Sequence, residues 1–171
     1  GFFLTTVILL LSDRLAGEQN MKPNPIPDGY RSITPYLKLP NSGRLIEFLK
    51  KAFDGVETGR LMKPDGTVLH AEVRIGDSLV MVHELPSQGK PKPSMLYLYV
   101  GDVDATYKRA IEAGGTSVME PTNMYYGDRT ACVRDVSEND WWIATRIETP
   151  TLEKVQERAT AFVKARSEHA A

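Results

Sequence analysis

Cysteine is almost absent from this sequence, because Cys132 is the only one among 171 residues. A single thiol excludes an internal disulfide and any zinc site built from several cysteines. This composition is typical of proteins that work in a reducing compartment, so we expect a cytoplasmic location.

An excess of basic charge is lacking as well. The chain has 21 Lys and Arg against 22 Asp and Glu, and the basic residues form no clustered stripe. Proteins that bind nucleic acid use such stripes to neutralise phosphates, so we expect no nucleic-acid partner. A small-molecule ligand or a second subunit fits the composition better.

A hydrophobic run long enough to cross a membrane is also missing. The run GFFLTTVILLL at residues 1–11 is shorter than the roughly 20 residues of a membrane span and lacks the basic start of a secretory signal. The proline-rich stretch MKPNPIPDGY that follows at residues 21–30 is typical of an extended lead-in. We therefore interpret residues 1–28 as an N-terminal extension, with residues 1–20 as upstream sequence; a signal fragment or an added edge strand are the alternatives.

The sequence does contain a pattern of structural elements that occurs twice. SITPYLKL at residues 32–39 alternates as a strand, and a helix with helical apolar spacing follows, with Ser42 as its predicted N-cap and Asp54-Gly55 as its end. Three strands are then predicted near residues 56–63, 67–75 and 78–85.

The second occurrence of this pattern begins after the connector HELPSQGKPKPS. The strand MLYLYV, the helix DVDATYKRAIEAGG and three further strands predict a second βαβββ module in an α+β fold. Module one covers residues 29–86, module two covers residues 93–148, and together they form one domain at residues 29–148. Residues 149–171 are predicted as a terminal amphipathic helix, capped by Thr151.

Five stretches, in this order and spacing, carry a family resemblance: GYRSITPYL, PDGTVLHAEVRIGDS, LYVGDVDATYKRAIEAGG, MYYGDRTACVRD and WWIAT. Together they resemble the glyoxalase and bleomycin-resistance branch of the vicinal oxygen chelate superfamily. The resemblance implies that the two modules form a curled mixed-sheet cup with the helices outside, and that the protein is a homodimer.

The resemblance also implies where a metal-dependent member would hold one divalent ion. The four places fall on Thr34, Val80, Met95 and Trp142 of this chain. None of these side chains is an imidazole or carboxylate donor of the kind that a catalytic divalent ion requires. We therefore expect no metal and no cofactor. Residues one position away are no better as ligands: Ile33, Leu79, Leu96 and Trp141.

The adjacent tryptophans should face different environments, because neighbouring strand residues point to opposite sides of a sheet. We predict that Trp142 lines the cup and that Trp141 packs against the helices. Stacking against a planar ligand and packing in the core are equally good interpretations of the cup's aromatic residues. Alternation around the positions that the resemblance implies gives seven candidate ligand-binding residues: Thr34, Tyr36, Met95, Tyr97, Tyr99, Cys132 and Trp142.

Other polar residues have competing interpretations. His70 and Glu72 share one face of a predicted strand, either as a pair that tethers the sheet, which we favour, or as a catalytic acid and base. Asp128 is interpreted as a turn cap and Arg129 as the partner of a carboxylate near a sheet edge or dimer contact, with binding of an anionic ligand by Arg129 as the less favoured alternative. Cys132 is predicted to be a packed, unreactive thiol.

Two functions are consistent with these residues. One is metal-free binding of a small planar or aromatic molecule, as in the bleomycin resistance proteins that sequester a drug. The other is a lyase, an isomerase or a dioxygenase-related enzyme that uses His70 and Glu72 as an acid–base pair. Such an enzyme would need Lys38, Arg74 or Arg146 as its electrophile.

Overall fold

The computed structural model describes residues 24–86 and 88–169, and the first 23 residues of the predicted extension lie outside this part of the chain. The elements follow the predicted order. They are β1 (Tyr36–Leu39), α1 (Ser42–Phe53), β2 (Val56–Met62), β3 (Val68–Ile75), β4 (Ser78–Glu84), β5 (Met95–Tyr99), α2 (Val103–Glu112), β6 (Thr116–Asn123), β7 (Asp128–Arg134), β8 (Asp140–Arg146) and α3 (Leu152–His169).

The strands form two sheets with the same topology. The first sheet has the order β1-β4-β3-β2, and the second has the order β5-β8-β7-β6. In each sheet the first pair of this order is parallel and the other two pairs are antiparallel. The predicted α+β fold with two βαβββ modules is therefore confirmed.

One hydrophobic core joins the two modules. The apolar side of α1 packs against the first sheet, α2 packs against the second, and the two helices contact each other. The contact is close at Gly115, where an added Cβ would lie 2.5 Å from Val133 Cγ1 and 3.2 Å from Phe48 Cε2. Arg109 Nη2 also donates to Asp54 Oδ2 at 3.0 Å across the two modules.

The start of α1 differs from the prediction. The N-cap is Asn41, in a left-handed conformation and without a side-chain capping bond, and Ser42 is the first residue of the helix. Glu84, at the end of β4, supplies the missing acceptor: its carboxylate accepts the backbone N–H groups of Asn41 and Ser42, both at 2.7 Å, and the Ser42 hydroxyl. The predicted end of the helix at Asp54 is confirmed, with φ 53° and its N–H bonded to Leu49 O.

Two strands differ in detail from the alternation of the sequence. β1 begins at Tyr36 rather than near Ser32, because the Thr34 hydroxyl donates to Arg31 O in a local turn and Pro35 has no N–H for a ladder. In β3 the core residue is Val68, whereas Leu69 is 37% exposed. A register shift between Leu61 and Met62 of β2 accounts for this change of side.

Each sheet has an open face, on the side away from its helix. On the first sheet this face carries Tyr36, Lys38, His70, Glu72, Arg74, Leu79, Met81 and His83. On the second sheet it carries Met95, Tyr97, Tyr99, Thr130, Cys132, Trp142, Ala144 and Arg146.

Candidate functional site

The register of the second sheet separates the two tryptophans as predicted. Trp141 points to the helix side, is 2% exposed and packs against Phe53 with the ring centroids 4.8 Å apart. Its Nε1 donates to Asp135 Oδ2 at 2.9 Å. Trp142 points to the open face, in one row with Tyr97 and Cys132. The alternation prediction is therefore confirmed for this pair.

The open face of the second sheet presents aromatic rings to solvent. Tyr97 and Tyr99 are 47% and 58% exposed, and their ring centroids lie 5.2 Å apart. Trp142 is half-buried beside them, and its Nε1 is buried without a hydrogen-bond partner among the described residues. An indole N–H is normally paired when it is buried, so this face combines a stacking surface with an unused donor.

A buried carboxylate lies at the edge of this aromatic surface. Asp128 is 1% exposed, and its Oδ2 accepts the Tyr99 hydroxyl at 2.9 Å and, more weakly, the Tyr97 hydroxyl at 3.4 Å. Arg146 Nε lies 2.8 Å from Oδ1 in an ion pair, although no hydrogen bond from a described residue is aligned on that oxygen. The interpretation of Asp128 as a turn cap is therefore wrong.

The tyrosine hydroxyls near Asp128 stay protonated at any physiological pH. The hydrogen bond to Asp128, together with burial, raises the pKa of Tyr99 above its usual range. Burial is the main cause of the raised pKa of Tyr97. Both hydroxyls therefore act as hydrogen-bond donors rather than as bases.

Cys132 lies on the open face of the second sheet but does not reach its surface. It is 0% exposed, and burial raises the pKa of its thiol to about 11. At neutral pH the side chain is a protonated thiol, which is a poor nucleophile and a poor metal ligand. It can pack beside Trp142, its register partner, but it cannot contact a ligand in the described conformation.

The open face of the first sheet carries the other predicted pair. His70 Nε2 lies 3.8 Å from Glu72 Oε1, and the same oxygen accepts a hydrogen bond from the hydroxyl of Tyr30. That bond is the main reason why the pKa of Tyr30 is raised to about 12. The sequence analysis missed Tyr30, because its strand partner is 42 residues away and no local pattern links them.

Two further residues complete the surroundings of His70. His83 is its partner across β3 and β4, and the ring centroid of Tyr36 lies 5.9 Å from that of His70 and 6.1 Å from that of His83. Burial, followed by the charge of Lys38, lowers the pKa of His83. This imidazole is therefore neutral near pH 7 and can accept a hydrogen bond.

At the four positions where a metal-dependent member of the family would bind its ion, the side chains of this chain do not suit a divalent ion. Val80 was assigned to the wrong side, because it pairs with Val73 and is buried in the core; Leu79 and Met81 face the open side instead. Thr34 lies in a turn before β1, while Met95 and Trp142 offer only a thioether and an indole. The described residues contain no group of three or more His, Cys, Asp or Glu placed to hold a metal.

The predicted site residues thus form two sets. Tyr36, His70 and Glu72 lie on the first sheet, and the second sheet brings together Met95, Tyr97, Tyr99, Cys132 and Trp142. Arg129 pairs with Asp104, its Nε 2.7 Å from Oδ2, as predicted. The sequence analysis missed the contact between Asp128 and Arg146, although both residues stand at strand ends that the register makes neighbours.

Paired βαβββ modules with open sheet faces define the class of the protein. The model of the Glyoxalase/Bleomycin resistance protein/Dioxygenase superfamily matches residues 40–143, and the chain belongs to this superfamily. An uncharacterised protein of Mycobacterium bovis is 31% identical over 136 residues, which cover 73% of this chain and 90% of that protein. An uncharacterised protein of Mycobacterium tuberculosis strain H37Rv is also 31% identical, and 80% of it is covered.

Solved structures share the fold at low sequence identity. TioX from Micromonospora sp. ML1 matches 68% of this chain and all of its own, with a TM-score of 0.56 and 22% identity. The fosfomycin resistance protein FosX from Listeria monocytogenes matches 73% of this chain and 97% of its own, with a TM-score of 0.52 and 16% identity. Among the described helices, none has both the length and the apolar composition needed to cross a membrane.

Proposed function

We propose that this protein binds a small planar or aromatic molecule on the open face of the second sheet, without a metal ion. The observation that carries the proposal is the exposed ring surface of Tyr97 and Tyr99 beside Trp142, whose Nε1 has no partner among the described residues. A buried donor without an acceptor costs about 1–3 kcal/mol. Because Nε1 has almost no exposed surface, a planar ligand would meet the ring of Trp142 rather than this donor, and the local environment of the indole would change on binding.

The affinity for such a ligand would come mainly from burial of apolar surface. Each 100 Å² removed from water contributes about 2.5 kcal/mol before the costs of association are subtracted. The rings stand on strands of a continuous sheet, so little side-chain order has to be created on binding. A rigid aromatic surface of this kind favours flat ligands over flexible ones.

We also propose that a second copy of the chain covers the open faces. Tyr36 and Met95, one on each open face, are 45% and 73% exposed, whereas ligand sites usually enclose most of the ligand surface. Sedimentation at several concentrations tests the dimer. Met95→Glu should weaken it. A monomer at all concentrations would contradict this proposal.

The binding proposal is tested by nuclear magnetic resonance of the indole N–H groups. The chain has two tryptophans and hence two indole signals, which Trp142→Phe assigns. Titration with planar heteroaromatic compounds should shift the Trp142 signal and leave that of Trp141 nearly unchanged. Binding that shifts neither signal, or only that of Trp141, would contradict the proposed surface.

The metal-free part of the proposal has a separate test. Elemental analysis of protein purified without a chelator should give far less than one equivalent of zinc, nickel, manganese or iron. One tightly held equivalent would overturn it.

An enzyme is the second candidate, and one observation favours it. Glu72 Oε1 accepts the Tyr30 hydroxyl and lies 3.8 Å from His70 Nε2, so a small movement of the imidazole would link the three groups in a proton relay. If the protein turns over a substrate, His70→Ala and Glu72→Gln should each lower kcat by about 100-fold or more. Activity that survives both substitutions unchanged would exclude this pair as the acid and base. The pair would then only help to hold the segment around Tyr30 against the first sheet.

A further inference from the structure

The contact between Asp128 and Arg146 holds a cation at the edge of the aromatic surface. Both residues are register partners on adjacent strands, Asp128 at the start of β7 and Arg146 at the end of β8. A carboxylate that is 1% exposed is costly unless it is paired, and Arg146 Nε supplies the charge at 2.8 Å. The arginine is therefore fixed from one side.

The other side of the guanidinium is available to a ligand. The Arg146 side chain is 49% exposed; besides its contact with Asp128 it interacts with the Tyr99 hydroxyl, and its exposed terminal amino groups can donate to a ligand. These groups form a planar fork that matches the two oxygens of a carboxylate or similar oxyanion.

The sheet register places this fork at a useful distance from the rings. Tyr99 lies in the row of Ala144, and Arg146 is two residues further along β8, which corresponds to roughly 7 Å. A ring stacked on Tyr97 and Tyr99 would thus bring an acidic substituent within reach of Arg146. A molecule with one or two fused rings and a carboxylate has this length.

Recognition of a cation by Asp128 is less consistent with the geometry. Oδ2 already accepts the Tyr99 hydroxyl, Oδ1 faces Arg146, and the residue has almost no exposed surface. An approaching ammonium group would meet the guanidinium before it met the carboxylate. The exposed end of the pair therefore selects for negative charge.

We propose that Arg146 is a specificity-determining residue that binds the carboxylate, or another oxyanion, of a planar aromatic ligand, and that Asp128 is its positioning residue. This inference rests on the proposed binding function and adds the acidic character of the ligand. The same cluster explains why an aspartate is buried next to the hydroxyl groups of Tyr97 and Tyr99.

Calorimetric titration with two matched probes tests the inference. 2-Naphthoate and 2-naphthamide have the same rings, but only the first carries a charge at neutral pH. The wild-type protein should bind 2-naphthoate about tenfold or more tightly than 2-naphthamide. Arg146→Gln should remove this difference by weakening only the naphthoate, and Arg146→Lys should restore part of it.

The chain offers a matched control on the same strand pair. Arg134 stands at the opposite end of β7 and is engaged by Asp140 through both Nε and Nη2, at 2.7 and 3.0 Å. Arg134→Gln should leave the preference for 2-naphthoate unchanged. A preference that falls equally in both variants would mean that only the general charge of the surface matters, and it would overturn the inference.

The positioning role of Asp128 needs a readout that separates it from a structural role. Asp128→Asn should weaken 2-naphthoate while leaving 2-naphthamide unaffected, whereas general damage to the sheet would weaken both probes. If that variant does not fold, Tyr99→Phe removes one hydrogen bond from Asp128 and should cost about two- to threefold in naphthoate affinity alone.

The possible results distinguish the two proposals. If both probes bind with equal affinity and shift the Trp142 indole signal, the proposed function stands and the role of Arg146 is wrong. If 2-naphthylmethylammonium binds best, Asp128 rather than Arg146 selects the ligand, and the inference is again wrong. If no planar probe binds, the proposed function fails and this inference fails with it.

Discussion

Phe53 and Trp141 pack against each other with their ring centroids 4.8 Å apart and their planes at 51°. The contact joins the last residue of α1 to the central strand β8 of the second sheet. Phe53 also meets Phe48 at 5.6 Å. The ring pair therefore links the first helix to β8 of the second module, and the open face lies on the other side of this strand.

Removal of Trp141 should destabilise the whole fold. Trp141→Ala deletes a 2%-exposed ring and its hydrogen bond to Asp135, and we expect a loss of about 3–5 kcal/mol in the free energy of unfolding. Chemical denaturation followed by circular dichroism measures it. The adjacent Trp142→Ala is the control and should cost clearly less, because its ring lies on the open face. Equal losses would contradict the assigned faces.

Close packing around Gly115 should make this position intolerant of a side chain. In Gly115→Ala the new Cβ would lie 2.5 Å from Val133 Cγ1 and 2.9 Å from Ala110 O, so we expect a loss of about 1–3 kcal/mol. Gly43 on α1 is the matched control, since an added Cβ has no neighbour within 4 Å. Gly43→Ala should leave stability unchanged or raise it by up to about 1 kcal/mol. A stable Gly115→Ala protein would contradict the tight contact.

The repeated βαβββ pattern could be predicted from the sequence because it depends on local periodicity and turns. The two faces of β8 followed from alternation alone, since Trp141 and Trp142 are adjacent in a regular strand. The assignment of Val80 failed by one residue because alternation fixes which residues share a side but not which side is buried. The exposure of Leu69 could not be predicted, because the register shift in β2 leaves no clear mark in the sequence.

The polar contacts of the candidate site were much harder to predict. Tyr30 and Glu72 are 42 residues apart, and the partners of Asp128 come from β5 and β8. Such contacts depend on strand order and register, which a single sequence does not specify. The capping of α1 by Glu84 is a similar case, because Ser42 has the right residue type for a cap but lies one position inside the helix.

Acid should weaken the fold in part through Glu84. Burial opposes ionisation of this carboxyl group, but the hydrogen bonds from Ser42 and Asn41 outweigh it and lower the pKa of Glu84 below its usual value. A lowered folded-state pKa gives stability that is present above the unfolded value, near pH 4.5, and is lost as the pH falls through the folded value.

Glu84→Gln should therefore lose about 1–2 kcal/mol at pH 7 and show a flatter stability curve below about pH 5. Denaturant unfolding between pH 3 and pH 7 measures both effects. Glu47→Gln is the control, because Glu47 forms an exposed pair with Lys50 on the same helix, and such pairs contribute at most about 1 kcal/mol. If Glu84→Gln lost as much stability between pH 7 and pH 3 as the wild-type protein does, the capping role would be contradicted.

Cys132 should be unreactive in the folded protein. Its thiol is fully buried, and burial raises its pKa to about 11, so the thiolate that reacts with disulfide reagents is scarce at pH 8. We expect 5,5′-dithiobis(2-nitrobenzoate) to label the native protein only as fast as the protein opens, and to label one thiol per chain at once in 6 M guanidinium. Raising the pH from 7 to 9 should accelerate native labelling no more than it accelerates labelling of the unfolded chain, because both react through an exposed thiol of ordinary pKa. Rapid stoichiometric labelling under native conditions would mean that Cys132 reaches the surface beside Trp142 and belongs to the ligand-binding set after all.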